Sequence, residues 1–249
     1  MKMIMLRKLR MSGKRKLFLI PYLFTFANAL CGFLSIMMVL EGNFIASALF
    51  IIAAGITDML DGRLARAFGC TSMLGMELDS LCDAVSFCLA PTVLLYSWRL
   101  HDIGFVAIAA AMLFLCAGLF RLAKFNTIPN THSAFTGLPT TITALLLASL
   151  VANAPVLAQG PLYWLFTDYA LVGLVTALAL LMISPIRFPS FKKTSMRRST
   201  ICIIATTLAV AWIVGSVKGY PILFTVLSAY IVCSIAVHGW MIVRRYSNL

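Results

Sequence analysis

Eight apolar runs, each near the roughly 20 residues that a helix needs to cross a bilayer, limit what this chain can fold into. They fall at about 18–40, 44–64, 75–97, 103–123, 137–157, 165–184, 201–217 and 220–242. With 61% apolar and 11% charged residues, the chain reads as an all-α integral membrane protein of about eight transmembrane helices, built as one domain. A basic segment ahead of an apolar stretch also suits a cleaved signal peptide. The first run is span-length, however, and a second follows within a few residues, so it reads as a retained helix.

The formal charge of +12 suggests a nucleic-acid partner only until the basic residues are placed. With the N-terminus in the cytoplasm, the inner side holds seven basic residues before Leu17. It also holds Arg63, Arg66, Arg121, Lys124, Arg187, Lys192, Lys193, Arg197, Arg198, Arg244 and Arg245. Only Arg99 and Lys218 fall outside. The positive-inside rule accounts for that bias with both termini cytoplasmic, and no nucleic acid is needed. Residues 1–17 form a basic cytoplasmic segment that reads as a topology determinant, with attraction to anionic membrane lipids as the alternative. The seven cysteines lack zinc-type spacing and read as small apolar residues.

Against this background the acids stand out. Of eight in the chain, five lie between Asp58 and Asp83, inside sequence otherwise fit for hydrocarbon. Asp58-x-x-Asp61-Gly62-x-x-Ala65-Arg66 is followed, after eight residues, by Gly75-x-x-x-Asp79-x-x-x-Asp83. Residues three or four apart share a helix face. Asp58 and Asp61 therefore project together, and Gly75, Asp79 and Asp83 line a second stripe. A turn over 67–74 makes the two helices a hairpin, with the stripes facing each other at one depth near the cytoplasm.

Buried carboxylates are neutral, paired with bases, or metal-bound. Neutral acids suit a proton-coupled transporter, but such sites hold one or two carboxylates near mid-membrane. Arg63 and Arg66 are too few to neutralise four. Two hard divalent cations, Mg²⁺ or Mn²⁺, match the charge and the all-oxygen donor set. A metal pair of that kind clamps a phosphate during in-line displacement. Gly62 and Ala65 leave room for a bulky group, and Arg66 offers a fork to phosphate oxygens. The expected ligand is a nucleotide or a diphosphate.

The full pattern D-x-x-D-G-x-x-A-R, eight residues, G-x-x-x-D-x-x-x-D resembles the signature of the CDP-alcohol phosphotransferase family. The resemblance implies a six-helix membrane core, here with two helices added, and two divalent ions held by Asp58, Asp61, Asp79 and Asp83. It puts cytidine diphosphate against Gly62, Ala65, Arg66 and Gly75, makes Asp83 the base that deprotonates the acceptor hydroxyl, and makes CMP the leaving group. Over roughly 18–145 the chain is most similar to the membrane-embedded branch that forms phosphatidylserine. The segments that carry this are IPYLFTFANALCGF, ELDSLCDAVSFCLAP, RLAKFN and FTGLPTT. Tyr22 departs from the asparagine common in the family at that position. This branch implies CDP-diacylglycerol as donor, L-serine as acceptor, and a bacterial inner membrane location with the site on the cytoplasmic side.

Arg121 and Lys124 are candidates for the serine carboxylate or a donor phosphate, with Asn126 beside them. Thr25 and Asn28 lie at the depth of the aspartates, where a polar residue serves either helix packing or a ligand. The core is expected over 18–184. Residues 185–249 supply a basic loop and two last helices, assigned to scaffold or homodimer contact. Other acceptors of the same family, namely glycerol 3-phosphate, inositol phosphate or choline, stand as alternatives. The rival outside enzymes is an ion-coupled transporter, which requires a second broken-helix half; no aspartate cluster follows Asp83.

Overall fold

The structure is a computed structural model that describes residues 22–67, 72–127, 137–186 and 221–246, with the backbone alone described at 65, 66 and 240–246. The segments 1–17 and 201–217, most of the 185–200 loop, and the side chains of Ala65, Arg66, Arg244 and Arg245 lie outside the described residues. Among the described residues every regular element is helical. We number them α1 (Tyr22–Leu40), α2 (Phe44–Ala67), α3 (Met73–Ile103), α4 (Phe105–Thr127), α5 (Thr140–Ala152), α6 (Asp168–Ile183) and α7 (Ile222–Tyr246). Five of these helices carry stretches long and apolar enough to cross a membrane, and α5 and α6 are shorter apolar helices.

The helices are dressed for lipid rather than water. In α1, Thr25, Asn28, Gly32, Ser35 and Val39 are buried, whereas Leu23, Phe26, Leu30, Phe33, Met37 and Leu40 are exposed. Both sets recur every three to four residues, so one face is small and polar and the other bulky and apolar. Where solvent is hydrocarbon, helices associate through close packing and hydrogen bonds, and small residues favour both. Ser35 and Ser47 illustrate this, joining α1 to α2 by a buried hydroxyl pair at 2.8 Å.

Gly42, at φ 74°, turns the chain from α1 into α2, and the Asn43 side chain caps the new helix by accepting from the Ala46 amide at 3.1 Å. Helix α4 packs extensively along both α3 and α6, α2 packs along α5, and α7 rests on α5. Phe87, Leu94, Phe114 and Leu147 fill the centre.

The third helix is not a uniform α-rod. Pro91 has no amide hydrogen and its ring crowds the carbonyl four residues back. The chain answers with a π-helical stretch over Ala84–Leu89, where the Ala90 amide reaches back five residues to the Val85 carbonyl. The Thr92 hydroxyl donates to the Cys88 carbonyl at 2.6 Å, satisfying a backbone group within the span. Widened turns of this type recur at functional sites, and this one starts directly after Asp83.

The start of α5 is likewise built to order. Gly137 adopts φ 86°, where a side chain is strained, and a Cβ there would collide with the Met182 carbonyl. Its amide donates to the Ile186 carbonyl at 2.8 Å, and the Leu138 amide to Leu181 at 3.0 Å. The non-helical backbone before Thr140 is thus stitched to the end of α6.

Candidate active site

The hairpin of α2 and α3 sets the depth of the acids. At about 1.5 Å per residue, Asp58 and Asp61 lie roughly 21 and 26 Å along α2. Asp79 and Asp83 lie roughly 9 and 15 Å from the start of α3. All four therefore lie toward the end of α2 and the start of α3, at one level of the bundle. Ser72 caps α3 there, accepting from the Gly75 amide at 3.0 Å, and the Tyr22 hydroxyl pairs with the Ser72 hydroxyl at 2.8 Å. Tyr22 thus ties the start of α1 to the start of α3, next to Gly75.

One carboxylate oxygen from each of Asp58, Asp61 and Asp79 lies within 4.8 Å of the others. Asp61 is only 4% exposed. Octahedral Mg²⁺ holds oxygens at about 2.0–2.1 Å, so opposite ligands stand roughly 4 Å apart. Small side-chain rotations bring the three oxygens within that span, and the donor set fits a hard divalent cation.

Asp83, one turn beyond Asp79, sits close enough to Asp58 and Asp79 for their charges to act on it. It is held separately, accepting from the Asn28 side-chain amide at 2.9 Å. Asn28 is itself fixed, because the Ser86 hydroxyl donates to its backbone carbonyl at 2.8 Å. Gly32 lets the two helices close: a Cβ there would overlap the Ser86 hydroxyl and lie 2.8 Å from the Ser86 Cα.

The other residues singled out by sequence divide. Gly62 and Gly75 are half-buried on the facing helices. Arg121, on α4, donates to the Thr140 hydroxyl at 3.1 Å and lies within charge reach of Asp83. Its Nε is buried and makes no hydrogen bond. Lys124 is exposed. Asn126 is engaged at both ends of its amide, donating to Glu77 at 3.2 Å and accepting from Ser80 at 3.1 Å. The structure thus brings the aspartates, Asn28 and Arg121 to one region and gives Asn126 a tie between α3 and α4. Ser86 and Thr140 escaped the sequence reading, since a serine or threonine in an apolar span carries no spacing signal.

Comparison with known proteins agrees with this geometry. A family model described as CDP-alcohol phosphatidyltransferase matches residues 18–184. A Bacillus subtilis protein named CDP-diacylglycerol–serine O-phosphatidyltransferase is 35% identical over 176 residues, 70% of this chain and 92% of its own length. A protein of the same name from Helicobacter pylori is 33% identical over 201 residues, 79% of this chain and 83% of its own. An archaetidylserine synthase from Methanothermobacter thermautotrophicus is 31% identical over 172 residues, covering 68% of this chain and 69% of that protein. Extending far beyond the aspartate hairpin, these matches leave one assignment: the chain belongs to the CDP-alcohol phosphatidyltransferase family.

Proposed function

We propose that this protein is a CDP-diacylglycerol–serine O-phosphatidyltransferase, an enzyme that moves the phosphatidyl group of CDP-diacylglycerol to the hydroxyl of L-serine and releases CMP. The observation that carries this reading is the gathering of Asp58, Asp61 and Asp79 within 4.8 Å, with Asp83 oriented beside them by Asn28. The names of the relatives support serine as the acceptor. Glycerol 3-phosphate, inositol phosphate and choline remain the competing acceptors.

In this reading Asp58, Asp61, Asp79 and Asp83 hold two divalent cations, Mg²⁺ or Mn²⁺. Bound there, the cations neutralise the diphosphate and stabilise charge on the departing CMP. Gly62 and Gly75 give the cytidine diphosphate close approach to the two helices, alongside Ala65 and Arg66. Asp83 takes the proton of the serine hydroxyl as its oxygen attacks the lipid-linked phosphorus. Arg121 pairs with the serine carboxylate through a planar fork. Lys124, exposed one turn further on, contributes positive charge at the mouth of the site. Asn126 acts on substrate only indirectly, through the Glu77–Ser80 stretch it fixes.

The lipid donor explains why the site lies in a membrane. Its acyl chains stay beside the exposed apolar faces while the diphosphate reaches the inner end of α2 and α3. The catalytic unit occupies residues 18–184, preceded by a basic segment over 1–17. Residues 185–249 add a basic loop and the helices of a homodimer contact. The protein resides in a bacterial inner membrane, with the site and both termini cytoplasmic. Purified protein supplied with CDP-diacylglycerol, Mn²⁺ or Mg²⁺ and each acceptor in turn tests the reading through CMP release. CMP with serine supports it; CMP only with another alcohol moves the acceptor within the family.

A further inference from the structure

Asn28 is fully buried, at 0% exposure, and only half of its side chain is used within the protein. Its Nδ2 donates to Asp83 Oδ1 at 2.9 Å, whereas its Oδ1 is buried without a hydrogen-bond partner. This orientation, N–H₂ toward Asp83, is the one that an Asp83 able to take up a proton requires, because an ionised carboxylate only accepts. The backbone does not let the group swing away, given the Ser86 bond to the Asn28 carbonyl and the tight Gly32 contact. A carbonyl oxygen left this way costs stability unless a donor reaches it.

A donor group on the acceptor bound against Asp83 would meet it. Oδ1 and Nδ2 share one planar amide, so the open acceptor stands immediately beside the carboxylate proposed to take the hydroxyl proton. In L-serine the hydroxyl-bearing carbon is bonded to the carbon that carries the ammonium group. A serine whose hydroxyl addresses Asp83 therefore carries its N–H donors only two carbons away. Arg121, within charge reach of Asp83, is available to the carboxylate at the other end.

We infer that Asn28 is the residue that selects a 2-amino alcohol as acceptor, receiving the substrate ammonium on Oδ1 while its Nδ2 orients Asp83. This rests on the reaction proposed above and adds the chemical feature by which the acceptor is chosen. Acceptors without the amine leave Oδ1 unmet, and a hydrogen bond to a charged group corresponds to about 10- to 100-fold in specificity.

The test compares CMP release with L-serine and with 3-hydroxypropanoate, which keeps the hydroxyl and carboxylate and lacks the amine. The unaltered protein is expected to prefer serine by on the order of 10- to 100-fold in kcat/KM. Asn28→Leu should lose rate with both and bring the ratio close to one. Asn28→Asp keeps an oxygen for the ammonium but no longer donates to Asp83; it should keep the preference while kcat falls. Asn28→Ala, which removes the acceptor without adding bulk, serves if the leucine variant fails to fold by its melting behaviour in detergent. A serine preference that survives in Asn28→Leu or Asn28→Ala overturns the inference, as does its loss in Asn28→Asp. Absence of CMP with serine in the unaltered protein overturns the reaction assignment itself, a result separate from any change in ratio.

Discussion

Asp83 differs from the other three aspartates in how it is held, and that difference predicts separable phenotypes. Asp58, Asp61 and Asp79 converge on one another, whereas Asp83 is anchored by an amide donor. Replacing Asp83 by Asn removes the proposed proton acceptor and weakens one of the four proposed cation ligands while preserving shape. Turnover should fall by about 10²–10⁴-fold with helical content and melting temperature retained; an active Asp83→Asn protein would remove its role as base. Asp61→Asn should instead appear as a metal defect, raising the Mn²⁺ needed for half-maximal activity by roughly tenfold or more. An unchanged Mn²⁺ titration would place the cations elsewhere. At this scale the sequence was informative, because a carboxylate in hydrocarbon is too costly to be incidental. It was blind to which aspartate Asn28 would hold, since that contact joins residues 55 apart.

Two glycines govern how the elements fit. Gly32 permits α1 to lie against Ser86 on α3, and Gly137 permits the turn that brings Thr140 to Arg121. Gly32→Ala forces the helices apart, which should cost about 1–3 kcal/mol, read as a lowered thermal midpoint in detergent. It should lower kcat as well, since Asn28 moves with α1. A variant that keeps both stability and rate would show that this contact does not set the site. The long helices were legible from hydropathy, and the hairpin from the spacing of its aspartates. The π-helical stretch before Pro91 was not, because hydropathy reports burial and not whether a turn closes over four residues or five. The apolar runs over 137–157 and 165–184 extend beyond α5 and α6, whose helices cover Thr140–Ala152 and Asp168–Ile183. Their apolar flanks continue into Gly137–Pro139 and into the 153–166 connection, with its short helix Ala154–Leu157 and 3₁₀ turn Tyr163–Phe166, which a count of hydrophobic residues merges with the helices.

For the molecule as a whole, the account depends on orientation: CDP-diacylglycerol, serine and the divalent ions must meet at the end of the bundle where α2 and α3 turn. The distribution of arginine and lysine predicts that this end is cytoplasmic. In a chain whose native cysteines are replaced by alanine, Asp102→Cys should react with an impermeant maleimide from outside the inner membrane. Lys124→Cys should react only once that membrane is opened, and the reverse pattern would invert the topology. The most direct test of the central claim is a measurement of CMP and phosphatidylserine formed by the purified protein from CDP-diacylglycerol, L-serine and Mn²⁺. Equimolar products are expected, abolished by a chelator and by Asp79→Asn. Failure to release CMP with any alcohol, under conditions where the protein is folded and binds Mn²⁺, would contradict it.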